Sequence, residues 1–169
     1  MKSRKMTRCA VLAALMAVCA WISVPMGELA VSLQTFAVFL TLGLLGGRLG
    51  SATVLVYLLL GSAGLPVFTG FRGGIGVLLG PTGGYLWGFL AACLLYWLLE
   101  DRLPQWLSMA LAMMICYVCG TLWYFFVYAN SGVWAVIMNC VVPYIVPDMI
   151  KIILALTVSG RLRDVIPES

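Results

Sequence analysis

Leu49-Gly-Ser-Ala-Thr-Val-Leu-Val-Tyr-Leu-Leu-Leu-Gly-Ser-Ala-Gly-Leu-Pro-Val-Phe-Thr-Gly-Phe71 runs without one charged side chain. Its heart, Val54–Leu60, is bulky and apolar at every position. A membrane β-barrel strand alternates in polarity residue by residue, so this stretch is a helix. Further charge-free runs cover 9–27, 29–47, 73–99 and 103–147, with a short one at 152–160. A helix needs about 20 apolar residues to cross about 30 Å of hydrocarbon. Composition agrees: 63% of the chain is hydrophobic, 9% is charged, and the mean hydropathy is +1.08. Soluble domains carry about a quarter charged residues, so the solvent of this fold is lipid. The expected architecture is an all-α integral membrane protein, one six-helix transmembrane domain over 1–169, with helices at roughly 8–24, 33–47, 50–61, 84–99, 106–128 and 145–160.

The net charge of +4 is unevenly placed. Lys2, Arg4, Lys5 and Arg8 precede the first helix, Arg48 and Arg102 follow the second and fourth, and Arg161 and Arg163 follow the sixth. Six crossings put these together on one side, with Arg72 and Lys151 opposite or buried. By the positive-inside rule both termini are cytoplasmic. No clustered basic face suits nucleic acid. The basic amino terminus resembles a secretory signal, yet no cleavage site follows and further spans succeed it. It reads as the first crossing.

Cytoplasmic connections are short and charged, Gly46–Gly50 and Glu100–Pro104. Outer connections are longer: loop one over Pro25–Ser32, loop three over Gly61–Gly84 and loop five over Asn130–Val146. Loop three holds glycines at 61, 64, 70, 73, 74, 76, 80, 83 and 84. Long apolar connections fold back on the bundle, and loops on a rigid scaffold concentrate binding function. No similarity links residues 1–85 to 86–169, so the inverted halves of many self-sufficient transporters are missing, and partners are expected.

Pro147-Asp148-Met149-Ile150-Lys151 is the sharpest chemical feature. Pro147 suits the first position of a helix, which puts Asp148 in the first turn, where the dipole favours an anion. Lys151, three residues on, shares its face. From Pro147 to Gly160 a helix rises about 20 Å, so the pair lies inside the outer surface, where ionisable groups are functional by default. Gln34 and Thr35 open helix two and offer uncharged donors and acceptors. Gly83, Gly84 and Tyr85 start helix four, where glycines allow close backbone approach and Tyr85 adds a ring and a hydroxyl. Ala10, Ala13, Ala14 and Ala17 form a small-residue groove on helix one for close helix approach; its occupant is either the bundle itself or an external helix. Gly74-Ile-Gly76 lacks the third glycine of a dinucleotide fingerprint, and no phosphate loop occurs.

No histidine exists, so Ser–His and Cys–His nucleophiles are excluded. The lone Cys116–Cys119 pair sits within an apolar helix and reads as packing. No metal, cofactor or enzymatic activity is expected.

Taken in order, Leu33-Gln34-Thr35, Leu45-Gly-Gly-Arg-Leu-Gly50, Tyr57-Leu-Leu-Leu-Gly61, Gly64-Leu-Pro-Val-Phe68, Gly80-Pro-Thr-Gly-Gly-Tyr-Leu86 and Pro147-Asp148 with Lys151 resemble the BioY family, the biotin-binding S components of energy-coupling factor (ECF) transporters. Ala30 and Ser32 stand where that family usually has proline and threonine, and Arg72 lies outside its pattern. The resemblance implies biotin bound near the outer face under loops one, three and five. It also implies that Ala10, Ala13, Ala14 and Ala17 dock a transmembrane coupling protein (T component), which carries two cytoplasmic ATPases, in a bacterial plasma membrane. Asp148 and Lys151 would meet the ureido group, Tyr85 and Tyr144 would cover the bicycle, and Gln34, Thr35, Gly83, Gly84 and Asn139 would complete the site. Arg72 or loop-three N–H groups would take the valerate carboxylate. An S component for another vitamin, or a membrane enzyme using Asp148, are the alternatives.

Overall fold

The computed structural model describes residues 2–26, 29–128 and 132–165. Gly27 and Glu28 of loop one and Asn130 of loop five lie outside them. Helix α1 (Lys2–Trp21) is followed by a β-hairpin, β1 (Ser23–Met26) with β2 (Leu29–Ser32), and then by α2 (Gln34–Ser62), α3 (Ile75–Leu78), α4 (Gly83–Leu99), α5 (Gln105–Val127), α6 (Val133–Cys140) and α7 (Val142–Val165). The chain is mostly helical. The expected loop one is instead two antiparallel strands in the register Ser23↔Ser32 and Val24↔Val31. Cross-strand pairing satisfies the backbone groups of an apolar connection that has few polar side chains to do it.

Helix α2 reverses on one residue. Gly46 holds φ 73°, ψ 175°, a left-handed φ that glycine adopts at no steric cost. The two limbs, 34–45 and 47–62, then run antiparallel. Gln34 Nε2 lies 2.9 Å from the Tyr57 hydroxyl, whereas a straight helix would separate them by about 35 Å. The expected Gly46–Gly50 connection is therefore shorter than the sequence suggests, and the second limb is helical from Gly47. Its first N–H groups have no partner within the helix; Glu100, just past α4, accepts the Gly47 N–H at 2.7 Å. A Cβ on Gly47 would stand 2.3 Å from the Trp97 Cα, so α4 crosses the limb backbone to backbone.

α4 and α5 form the most intimate helix pair, and α1 and α7 flank α2. Met16, Phe39, Leu42, Val54, Cys93, Met109 and Ala155 fill the centre. The outside is equally apolar: Leu98, Phe126 and Ile153 are exposed while Gln34, Asp148, Lys151 and Ser159 are buried. That inversion suits lipid rather than water. By length and composition alone, three stretches among the described residues are long and apolar enough to cross a membrane, Gln34–Ser62, Gln105–Val127 and Val133–Arg163, the first of which doubles back at Gly46.

Two expectations need correction. α7 begins at Val142, so Pro143 occupies the first turn and Pro147 stands inside the helix, where its missing N–H leaves the Pro143 carbonyl without its i+4 donor. Asp148 is thus about 9 Å along α7, beyond the reach of the terminal dipole. The helix extends to Val165, about 36 Å, because most of loop five is folded into α6 and the first turn of α7. The alanine groove of α1 also divides: Ala13 and Ala17 are buried with Ala20, while Ala10 and Ala14 are exposed. The four alanines therefore do not present one common outward surface.

Gly47→Ala is expected to lower the melting temperature of the detergent-purified protein by several degrees, since overpacking costs about 1–3 kcal/mol. Gly76→Ala, where an added Cβ meets nothing within 4 Å, should leave it unchanged in the same fluorimetric scan.

Candidate functional site

A cavity of about 150 Å³ opens between β2, the start of α2, loop three, α4, α5 and α7. Asp148 and Lys151, one turn apart on α7, form an ion pair of 2.8 Å with each side chain less than a tenth exposed. The Tyr117 hydroxyl of α5 donates to the other carboxylate oxygen at 2.7 Å. Each oxygen of Asp148 thus has one donor, Lys151 Nζ on Oδ1 and Tyr117 on Oδ2. An ionised carboxylate has about four acceptor positions, so about two remain for a ligand. A buried charge left unpaired is far more costly than a paired one, which explains why Asp148 and Lys151 face each other at the cavity wall.

Gln34, which lines the same cavity, heads α2. Its backbone N–H meets the Ser32 hydroxyl at 3.3 Å, and its Nε2 donates to Tyr57. Tyr57 in turn donates to the Val67 carbonyl at 2.7 Å. The rings of Phe68 and Phe89 and the thioether of Met113 give the cavity apolar walls.

Loop three is strapped over this space. The Trp21 indole donates to the Pro66 carbonyl at 2.8 Å, and its ring stacks on Phe71 at 4.8 Å. Phe71 has φ 57°, uncommon for a side-chain-bearing residue. The following Arg72 lines the cavity, and its Nε donates to the Thr69 carbonyl at 3.3 Å.

Of the residues expected at the site, Asp148, Lys151, Gln34, Thr35, Tyr85, Tyr144 and Arg72 line one cavity although they come from distant parts of the chain. Three do not line it. A Cβ on Gly83 would strike the Leu78 carbonyl and one on Gly84 the Trp123 side chain, so these glycines serve close packing at the start of α4. Asn139 is exposed on α6. Tyr85 lines the cavity, but its hydroxyl donates to the Cys140 carbonyl at 3.0 Å and ties α6 to α4.

Tyr117 and Tyr57 escaped the sequence reading. Each lies in an apolar helix, and its partner comes from another element 31 or 10 residues away. The available signal was a tyrosine hydroxyl deep in a span, which needs a partner when buried.

The family model described as the BioY family matches residues 1–168. The biotin transporter BioY of Thermotoga maritima is 37% identical over 164 residues, covering 95% of this chain and 96% of that one. The probable biotin transporter BioY of Pyrococcus horikoshii is 38% identical over 164 residues, covering 96% and 98%. The crystal structure of the S-component for biotin from an ECF-type ABC transporter superposes with a TM-score of 0.86 at 27% identity, covering 96% of this chain and 92% of that one. Motif order, helix arrangement and full-length similarity agree, and the chain belongs to the BioY family.

Proposed function

We propose that this chain is the substrate-capturing S component of an ECF-type biotin transporter. The carrying observation is the Asp148–Lys151 pair, held with Tyr117 at the wall of a cavity that also receives Gln34. Biotin combines an apolar bicycle, a ureido group with two N–H donors and one carbonyl, and a valerate carboxylate. The acceptor positions left on Asp148 suit a ureido N–H, and Lys151 Nζ suits the ureido carbonyl. Phe68, Phe89 and Tyr144 suit the bicycle, with Thr35 and the ring of Tyr85 completing the wall. Arg72 suits the valerate, because no acceptor among the described residues takes its terminal N–H groups.

In the same proposal the chain is a single domain crossing a bacterial plasma membrane six times, through α1, both limbs of α2, α4, α5 and α7. The basic residues near Arg4, Arg48, Arg102 and Arg161 support cytoplasmic termini. The outer side is then the end where α7 begins, and it carries the cavity. A T component and two ATPase subunits supply the energy; the chain itself hydrolyses no ATP. Ala10 and Ala14, exposed on α1, are the part of the alanine groove open to a T-component helix. Ala13 and Ala17 shape α1 against α2 from within.

Titration calorimetry of ligand-stripped protein should show 1:1 biotin binding, and folded protein giving no heat would end the assignment. Asp148→Asn should weaken binding by about ten- to hundredfold, the worth of charge-assisted hydrogen bonds of about 1.5–3 kcal/mol. Arg72→Met should weaken biotin while leaving the affinity for biotin amide unchanged; equal losses for both ligands would remove Arg72 from the carboxylate.

Ala14→Trp should abolish co-purification with the T component while biotin affinity stays at the wild-type value. Ala17→Trp, by contrast, should lower melting temperature and biotin affinity together, since an indole there enters the bundle. Docking retained in Ala14→Trp would place the partner elsewhere.

A further inference from the structure

We infer that Tyr57 sets the hydrogen-bonding polarity of the cavity by holding the Gln34 amide one way round, so that Gln34 turns its carbonyl oxygen to the ligand. The inference rests on reading the cavity as the biotin site. It follows from counting protons along a three-member chain. The Val67 carbonyl has no hydrogen, so the contact of 2.7 Å to Tyr57 consumes the single hydroxyl proton of Tyr57. The Tyr57 oxygen is thereby left as an acceptor. Whatever atom of Gln34 faces it at 2.9 Å has to bring a hydrogen, and in an amide only the nitrogen does.

The other end of the amide, Oε1, meets no donor among the described residues, and it is not among their sealed, unsatisfied atoms. Gln34 is 3% exposed and lines the cavity, so the access left to Oε1 is access to the cavity. Neither partner is free to turn. Tyr57 is 1% exposed, with Phe68 edge-on to its ring at 5.5 Å. The Gln34 backbone is fixed by Ser32 at the turn from β2 into α2.

The cavity therefore shows acceptors from two different helices, Asp148 on α7 and Gln34 Oε1 on α2. That arrangement favours a small ring with N–H donors on two edges, which the ureido group has. It disfavours a ring of similar shape with an acceptor on the α2 side, because Oε1 and that atom would repel. Tyr57 is a positioning residue in this scheme and Gln34 a specificity-determining one.

The test is a mutant cycle read by calorimetry on purified protein: wild type, Tyr57→Phe, Gln34→Leu and the double variant. Each is titrated with biotin and with two analogues methylated at one or the other ureido nitrogen. Each single variant should weaken biotin by about two- to tenfold, the range of one hydrogen bond. The double variant should bind as Gln34→Leu does, since Tyr57 acts through Gln34. For one of the two analogues, Gln34→Leu should cost nothing further. Full additivity of the two losses, or an unchanged affinity in Tyr57→Phe, would overturn the proposal. If Tyr57→Phe fails to fold, the Gln34→Leu series decides: an equal loss for biotin and both analogues overturns it. Wild-type protein that binds no biotin would overturn the ligand assignment beneath it, a result distinct from any pattern within the cycle.

Discussion

Hydrocarbon offers no hydrogen-bond partner, and a group that brings a donor, an acceptor or a charge into it has to find its complement within the protein. Most polar residues in the spans comply locally. The hydroxyls of Thr41, Ser51 and Thr53 each donate to the carbonyl one turn back, at 2.7–2.8 Å. Asp148 and Lys151 satisfy the same condition by pairing, and their position determines what surrounds them. Tyr117 reaches across from α5 to the second carboxylate oxygen, and the cavity forms where neighbouring side chains leave the pair accessible on one side.

The geometry at the cavity end depends on a device at the other. Gly46 reverses α2, and Glu100 satisfies the Gly47 N–H exposed by the reversal. Because the limbs return side by side, residues 34 and 57 meet. The close crossing of α4 at Gly47 and Trp97 fixes where α4 lies against α2, and hence where Tyr85, Leu86 and Phe89 enter the cavity wall.

Much of this was legible. Charge-free runs located the long helices, α5 and α4 to within one or two residues, because exclusion of charge from lipid acts on every residue of a span. The i,i+3 spacing of Asp148 and Lys151 was legible because it is local. Pro147 misled: its preference for a first helical turn is real, but Val142–Val146 continue the helix ahead of it, and packing decided the boundary. The β-hairpin was hidden because strands of four residues carry little periodicity. Gly83 and Gly84 signal close approach without saying to what, and here the approach is to Leu78 and Trp123 rather than to the cavity. Tyr57 and Tyr117 depend on which helices are neighbours, and one sequence does not state that.

The strap over the cavity has a thermodynamic consequence. Trp21 ends α1 and grips loop three through Pro66 and Phe71, while Ala10 and Ala14 face outward two to three turns earlier on the same rigid rod. Displacing the rod at either end is resisted by what holds the other. If a protein bound along α1 alters the free energy of loop three by some amount, a ligand held under loop three alters the binding of that protein by the same amount, as linkage requires. One indole side chain thus joins the rod to loop three, and any free energy passed through it from one to the other is passed equally in the opposite direction.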